Sequence, residues 1–97
     1  MQWTIDRFDD TESYLNVVFR RGDVWIEFLG LLRFDRRCAY YTEVHIQGPG
    51  AHLLGAASLR ELVNVVKEII DVDTIYVEGE IRTTGANPGR RPRPLIF

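Results

Sequence analysis

The sequence is poor in cysteine and has no long apolar run. Cys38 is its only cysteine, which rules out a disulfide within the chain and a zinc site built from several cysteines. No apolar stretch approaches the roughly 20 residues that cross a bilayer as a helix. The N-terminal segment MQWTIDRFDD lacks the basic start and apolar core of a signal peptide. We therefore expect a cytoplasmic location and no membrane partner.

The length of the chain favours one domain. A split of its 97 residues would leave two halves too small for a core, and its hydrophobic fraction of 45% is normal for a globular protein. The segment TTGANPGRRPRPLIF holds three of the four prolines and cannot continue as a regular central strand. We predict a single α+β domain over residues 1–82 and a Gly/Pro/Arg-rich arm over residues 83–97, whose apolar end Leu95–Phe97 docks on the domain.

Charge is distributed unevenly along the chain. The net charge is −2, but the four arginines from Arg82 onward meet no acidic residue there, which leaves −6 on residues 1–81. Arg90, Arg91 and Arg93 are binding candidates, and a nucleic acid is one possible partner because arginines hold phosphates. An extended Arg/Pro arm also suits a protein partner, and a third possibility is that the arm folds back on the acidic domain.

The first half of the chain is typical of consecutive strands. Two β-rich runs, SYLNVVFR and VWIEFLGLLRF, flank the turn Arg21-Gly22-Asp23, and a third, CAYYTEVHIQ, follows a break at residues 35–37. A further short strand is predicted over residues 2–8. Short connections predict antiparallel pairing of these strands.

The pattern changes after residues 48–50. Ser58 and Glu61 have the spacing of a capping box, and apolar residues then recur every three or four positions, which predicts a helix over residues 58–70. TIYVEGEIR follows as a last strand. The predicted fold class is α+β: an antiparallel four- to five-stranded sheet in the order ββββαβ, or βββαβ without the first strand, with the helix packed on one face.

Alternation along two strands predicts a polar face opposite the helix. In CAYYTEVHIQ, Cys38, Tyr40, Thr42, Val44 and Ile46 would face the helix, and in the last strand Ile75, Val77 and Ile81 would do so. The face turned away from the helix would then present Tyr41, Glu43, His45, Gln47, Tyr76, Glu78, Glu80 and Arg82, with Trp25 and Glu27 of the third strand beside them.

This residue set permits two interpretations. A carboxylate near a histidine can act as an acid–base pair while an arginine stabilises developing charge, as in metal-independent ribonucleases. The catalytic candidates are Glu43, His45, Glu78, Glu80 and Arg82, and Tyr41 and Tyr76 are binding candidates. Alternatively, such residues are what the solvated face of an antiparallel sheet usually contains.

Neither a metal site nor a cofactor is predicted. The sequence has no HxH or HExxH spacing, and no GK[ST] follows the glycines at residues 48–50. Cys38 falls on the predicted core face, where a small buried hydrophobic side chain is expected instead of a nucleophile.

Residues 79–90, GEIRTTGANPGR, resemble the ends of C-terminal toxin modules in bacterial polymorphic (Rhs and contact-dependent) toxins, where a last strand runs into a similar turn. The resemblance covers about an eighth of the chain. It implies a system of competition between cells, and it makes Arg82 and Arg90 candidates for substrate contact.

Two functions from different classes follow from these observations. The first is a small protein-interaction module of bacterial or phage type, either immunity- or antitoxin-like or an adaptor, that binds through the polar sheet face and the arm. The second is a small toxin-like ribonuclease or hydrolase. A homodimer is also possible through the edge of the first strand, unless the segment Leu95–Phe97 covers that edge.

Overall fold

The structure is a computed structural model that describes residues 2–79 and 94–97. The described residues form a small α+β domain with a six-stranded sheet. In chain order the elements are β1 (Thr4–Thr11), β2 (Tyr14–Arg21), β3 (Val24–Asp35), β4 (Cys38–Gln47), a short 3-10 helix (Pro49–Leu53), α1 (Ala56–Ile70), β5 (Thr74–Gly79) and β6 (Leu95–Ile96). The predicted order ββββαβ roughly fits, and β6 brings the strand count above the four or five expected.

The strands lie side by side in the order of the sequence, from β1 to β6. All neighbours pair antiparallel except β4 and β5, which are parallel. The prediction of a wholly antiparallel sheet is wrong at this pair. The 3-10 helix and α1 carry the chain back to the end of the sheet where β4 began, so β5 must run in the same direction as β4.

The C-terminal segment docks on the domain, as predicted, but it covers the edge of β5 and not that of β1. Phe97 and Ile75 exchange two backbone hydrogen bonds, with N–O distances of 2.9 and 3.1 Å. β1 stays at the opposite edge of the sheet and is longer than the strand predicted over residues 2–8. Its charged side chains and a register shift between Ile5 and Arg7 are devices that discourage further strand pairing.

The helix begins two residues before the predicted start. Gly55 is its N-cap and no side chain caps it, so the capping box predicted from Ser58 does not form. Ala56 and Ala57 extend the helix because alanine has the highest helix propensity. It ends at Ile70, as predicted, where Asp71 adopts a left-handed conformation with a φ of 59°.

The core lies between the sheet and α1. On the sheet side, Phe19 and Phe28 pack edge to face with their ring centroids 5.9 Å apart. The helix contributes three buried side chains, Leu62, Val63 and Val66. Between the two layers remains an apolar cavity of about 50 Å³, which Tyr41 also lines. The helix therefore closes one face of the sheet, and we call the other face the open face.

A β-bulge in β4 changes which of its side chains reach this core. Leu31 pairs with Thr42 and Leu29 with His45, so that Glu43 and Val44 together oppose Gly30. Glu43 has a φ of 53°, in the left-handed region. The bulge shifts the alternation by one residue.

The bulge overturns the predicted faces of the first half of β4. Tyr41 is a core residue that is 7% exposed, and its hydroxyl donates a hydrogen bond of 2.9 Å to the carbonyl oxygen of Leu15. Burial raises the pKa of Tyr41, because the charged phenolate is poorly solvated there. Cys38, Tyr40 and Thr42, which were expected in the core, lie on the open face and are half-buried. Beyond the bulge Val44 is buried, as predicted.

Candidate functional site

The open face carries a group of neighbouring apolar and aromatic side chains. On β2, the side chains of the open face alternate with the core residues Leu15, Val17 and Phe19. Tyr14 lies directly opposite Leu31, while Tyr76 lies between Tyr40 and Ile96 on the adjacent strands. We define the apolar patch as Tyr14, Leu29, Leu31, Tyr40, Tyr76 and Ile96.

The apolar patch is accessible to a partner. Tyr14 is 55% exposed, Leu29 42% and Ile96 64%. Leu29 and Leu31 belong to β3, which has neighbours on both sides in the sheet. The patch therefore extends into the interior of the open face, away from the sheet edges.

Two tyrosines of the patch form a stack that arginine extends. The rings of Tyr40 and Tyr76 are parallel to within 7°, with centroids 4.9 Å apart. This separation matches the spacing of neighbouring strands, so the rings stand side by side across β4 and β5. On the β3 side the Cζ atom of Arg33 lies 5.8 Å from the centroid of Tyr40. Tyr76 therefore covers one face of the Tyr40 ring, and Arg33 lies over this ring from the β3 side.

A carboxylate with two amide donors lies beside the apolar patch. The Nδ2 atom of Asn16 donates to Oε2 of Glu27 at 2.8 Å, and Nε2 of Gln47 donates to Oε1. These two hydrogen bonds, with smaller contributions from the positive charges of Arg7 and His45, hold the pKa of Glu27 below its usual range. We call Asn16, Glu27 and Gln47 the Glu27 cluster.

The structure brings only part of the predicted catalytic set together. His45 lies on the open face as predicted, opposite Leu29, and it is close enough to Glu27 to affect the pKa of that carboxyl. Glu43 is exposed at the bulge, where alternation no longer places it on the same face as His45. The carboxylate on which the charge of His45 acts is Glu27, which alternation suggested only as an additional member of this face.

The remaining predicted residues divide into two groups. Tyr76 and Glu78 lie on β5, half-buried and on the open face, as expected. Glu80, Arg82, Arg90, Arg91 and Arg93 fall outside the described residues, as does most of the segment that resembles toxin modules.

Sequence reasoning missed the roles of Leu29, Leu31, Arg33 and Asn16. The available signal was the alternation in β3, where Ile26, Phe28, Gly30 and Leu32 are buried and the residues that alternate with them are not. Both faces of β3 are rich in apolar residues, so the alternation does not stand out in the sequence.

Two further features are absent from the described residues. Residues 2–79 and 94–97 contain no group of three or more His, Cys, Asp or Glu side chains placed to hold a metal ion. No helix within the same ranges is long and apolar enough to cross a membrane.

Comparisons of this chain with protein-family models, with curated proteins and with solved structures found no match.

Proposed function

We propose that this protein is a small protein-interaction module of bacterial or phage type, immunity- or antitoxin-like or an adaptor, and that it binds a partner protein through the open face. The observation that carries the proposal is the apolar patch. Tyr14, Leu29 and Ile96 are exposed and the other members are half-buried, with Arg33 beside Tyr40 and the Glu27 cluster at the border of the patch. Protein interfaces commonly have this arrangement, with an apolar and aromatic centre, an arginine and a polar rim.

An ordinary solvated face does not account for the patch. Such a face is polar, and isolated apolar side chains on it need no explanation. Here Tyr14 and Leu31 are directly paired, and Leu29 is two residues along the same strand. Tyr14 and Leu29 are exposed and Leu31 is half-buried, and adjacent apolar side chains at the surface are typical of interaction sites.

A small ribonuclease or hydrolase is the second candidate function. The observation in its favour is the proximity of His45 to Glu27. Against it, both oxygens of Glu27 already accept hydrogen bonds from amides, and the lowered pKa makes this carboxylate a weak proton acceptor. RNA cleavage by the full-length protein that His45→Ala abolishes, with the fold intact, would favour this candidate over binding alone.

Crosslinking in cells tests the interaction module. A photo-crosslinking amino acid is placed at Leu29 on the open face, and matched control positions are Val65 and Ile69 on α1, which are 40% and 49% exposed. We expect a discrete covalent adduct with one protein from position 29 and none from the helix. Equal adducts from both surfaces, or none from position 29, would refute binding through the open face.

The role of the arginine-rich arm in binding stays a prediction. Arg90, Arg91 and Arg93 lie beyond the described residues, so their part in binding a protein or a nucleic acid rests on charge alone. Nucleic-acid binding by the arm would weaken steeply as salt increases, because counterions are released from the phosphates.

A further inference from the structure

Glu27 lies within the open face, close to the apolar patch. It lies on β3, between Val18 of β2 and Gln47 of β4, and it is half-buried. Leu29 of the apolar patch is two residues along the same strand and points to the same face. A partner that covers Leu29 therefore also covers this carboxylate.

The carboxylate is held in one orientation by its two amide donors. Asn16 contacts one oxygen and Gln47 the other, so that rotation of the carboxylate would break both hydrogen bonds. Each carboxylate oxygen can accept about two hydrogen bonds, which leaves one direction on each oxygen for a further donor. Two such acceptors side by side match the two parallel N–H groups of a guanidinium.

Glu27 belongs to no close ion pair of the described residues, although the positive charges of Arg7 and His45 act on its carboxylate from farther away. The ion pairs in residues 2–79 and 94–97 join Arg20 to Asp6 and Arg37 to Asp71 and Asp73. Amide donors stabilise a carboxylate without neutralising it, so Glu27 keeps its negative charge at neutral pH. The net charge of −6 on residues 1–81 likewise favours the approach of a basic partner.

We propose that the Glu27 cluster is a receptor for an arginine side chain of the protein partner, which also places an apolar side chain on Leu29 and Leu31. This inference rests on the proposed function, since it names the chemistry that the open face recognises. The fixed carboxylate supplies the specificity for a guanidinium, and the apolar patch supplies contact area.

A peptide titration tests the recognition of arginine directly. The probes are N-acetyl-arginyl-leucine amide and the same dipeptide with citrulline, which keeps the shape of arginine but has no charge. We expect saturable NMR shifts of the side-chain amides of Asn16 and Gln47 with the arginine probe at millimolar concentration, and none with citrulline. Glu27→Gln should abolish the shifts while Glu43→Gln, an exposed glutamate at the bulge, should retain them. Equal shifts with both probes, no shift with either, or shifts that survive Glu27→Gln would overturn the proposal.

The crosslinking experiment separates failure of this inference from failure of the proposed function. With the photo-crosslinker at Leu29, Glu27→Gln should lower the yield of the partner adduct about tenfold relative to Glu43→Gln, since it removes a charge-assisted contact. An adduct of unchanged yield refutes arginine recognition but leaves the interaction module standing. If the protein that carries the photo-crosslinker at position 29 and no other substitution forms no adduct, both arginine recognition and the interaction module are refuted.

Discussion

At the scale of single residues, environment determines what each polar group on the open face can do. Glu27 and Glu43 are both glutamates of the sheet, yet Glu27 is half-buried between two amides while Glu43 is exposed at a bulge. Tyr41 and Tyr40 are adjacent in sequence, but one lies in the core and the other on the open face. Residue type alone therefore does not identify the members of the site.

The hydrogen bonds of Glu27 give stability that depends on pH. Because its folded pKa lies below the ordinary value of 4.5, this contribution is present above about pH 4.5 and is lost as the pH falls through the folded pKa. We expect Glu27→Gln to lower the free energy of unfolding by about 1 kcal/mol at neutral pH, and by less at about pH 3. Urea unfolding of both proteins at the two pH values measures this difference. The control is an NMR titration of Asn16→Ala, in which the pKa of Glu27 should rise. If Glu27→Gln changed the free energy of unfolding equally at both pH values, the expectation would be contradicted.

At the scale of elements, the bulge in β4 and the turns at the ends of the strands position the open face. Arg37, in the turn before β4, forms a bidentate ion pair with Asp73 at 3.1 and 3.2 Å, and its carbonyl oxygen accepts a hydrogen bond from the Asp73 backbone. The Arg37 guanidinium holds the pKa of Asp73 below its usual range. These contacts join the start of β5 to the start of β4, consistent with their parallel pairing.

The bulge depends on the absence of a side chain at Gly30. A Cβ atom there would lie 2.8 Å from the carbonyl oxygen of Thr42, a backbone atom that cannot turn aside. We expect Gly30→Ala to lower the free energy of unfolding by about 1–3 kcal/mol, measured by urea unfolding. Gly55→Ala is the matched control, because nothing lies within 4 Å of the added Cβ atom, and its effect should stay within about 1 kcal/mol. Similar losses in the two variants would argue against the close packing of β3 on the bulge.

At the scale of the whole molecule, α1 covers one face of the sheet and leaves the other face uncovered. The buried apolar residues of β2 and β3 lie beneath the helix, while the apolar patch lies on the other side of the same strands. β6 and the charged strand β1 form the two sheet edges. The apolar patch therefore lies on the face of the sheet that α1 leaves uncovered.

The two faces of the sheet should respond differently to a leucine-to-alanine substitution. Leu15 is 1% exposed and Leu29 is 42% exposed, on neighbouring strands. Leu15→Ala should lower the free energy of unfolding by about 2–5 kcal/mol because it leaves a cavity in the core. Leu29→Ala should change it by less than about 1 kcal/mol while weakening partner capture. Thermal or urea unfolding gives the first comparison, and a large destabilisation by Leu29→Ala would show that the open face serves the fold.

The sequence by itself determined the order of most elements, because turn formers and hydrophobic periodicity are local properties of the chain. It located the hairpin at Gly22, the helix and its end at Ile70, and the docking of the apolar C-terminus. The tertiary structure decided which residues share a face. The bulge that buries Tyr41 arises where Gly30 of one strand meets two residues of another, and the Glu27 cluster joins three strands. Strand pairing between distant segments fixes such contacts, and alternation within one strand carries no information about them.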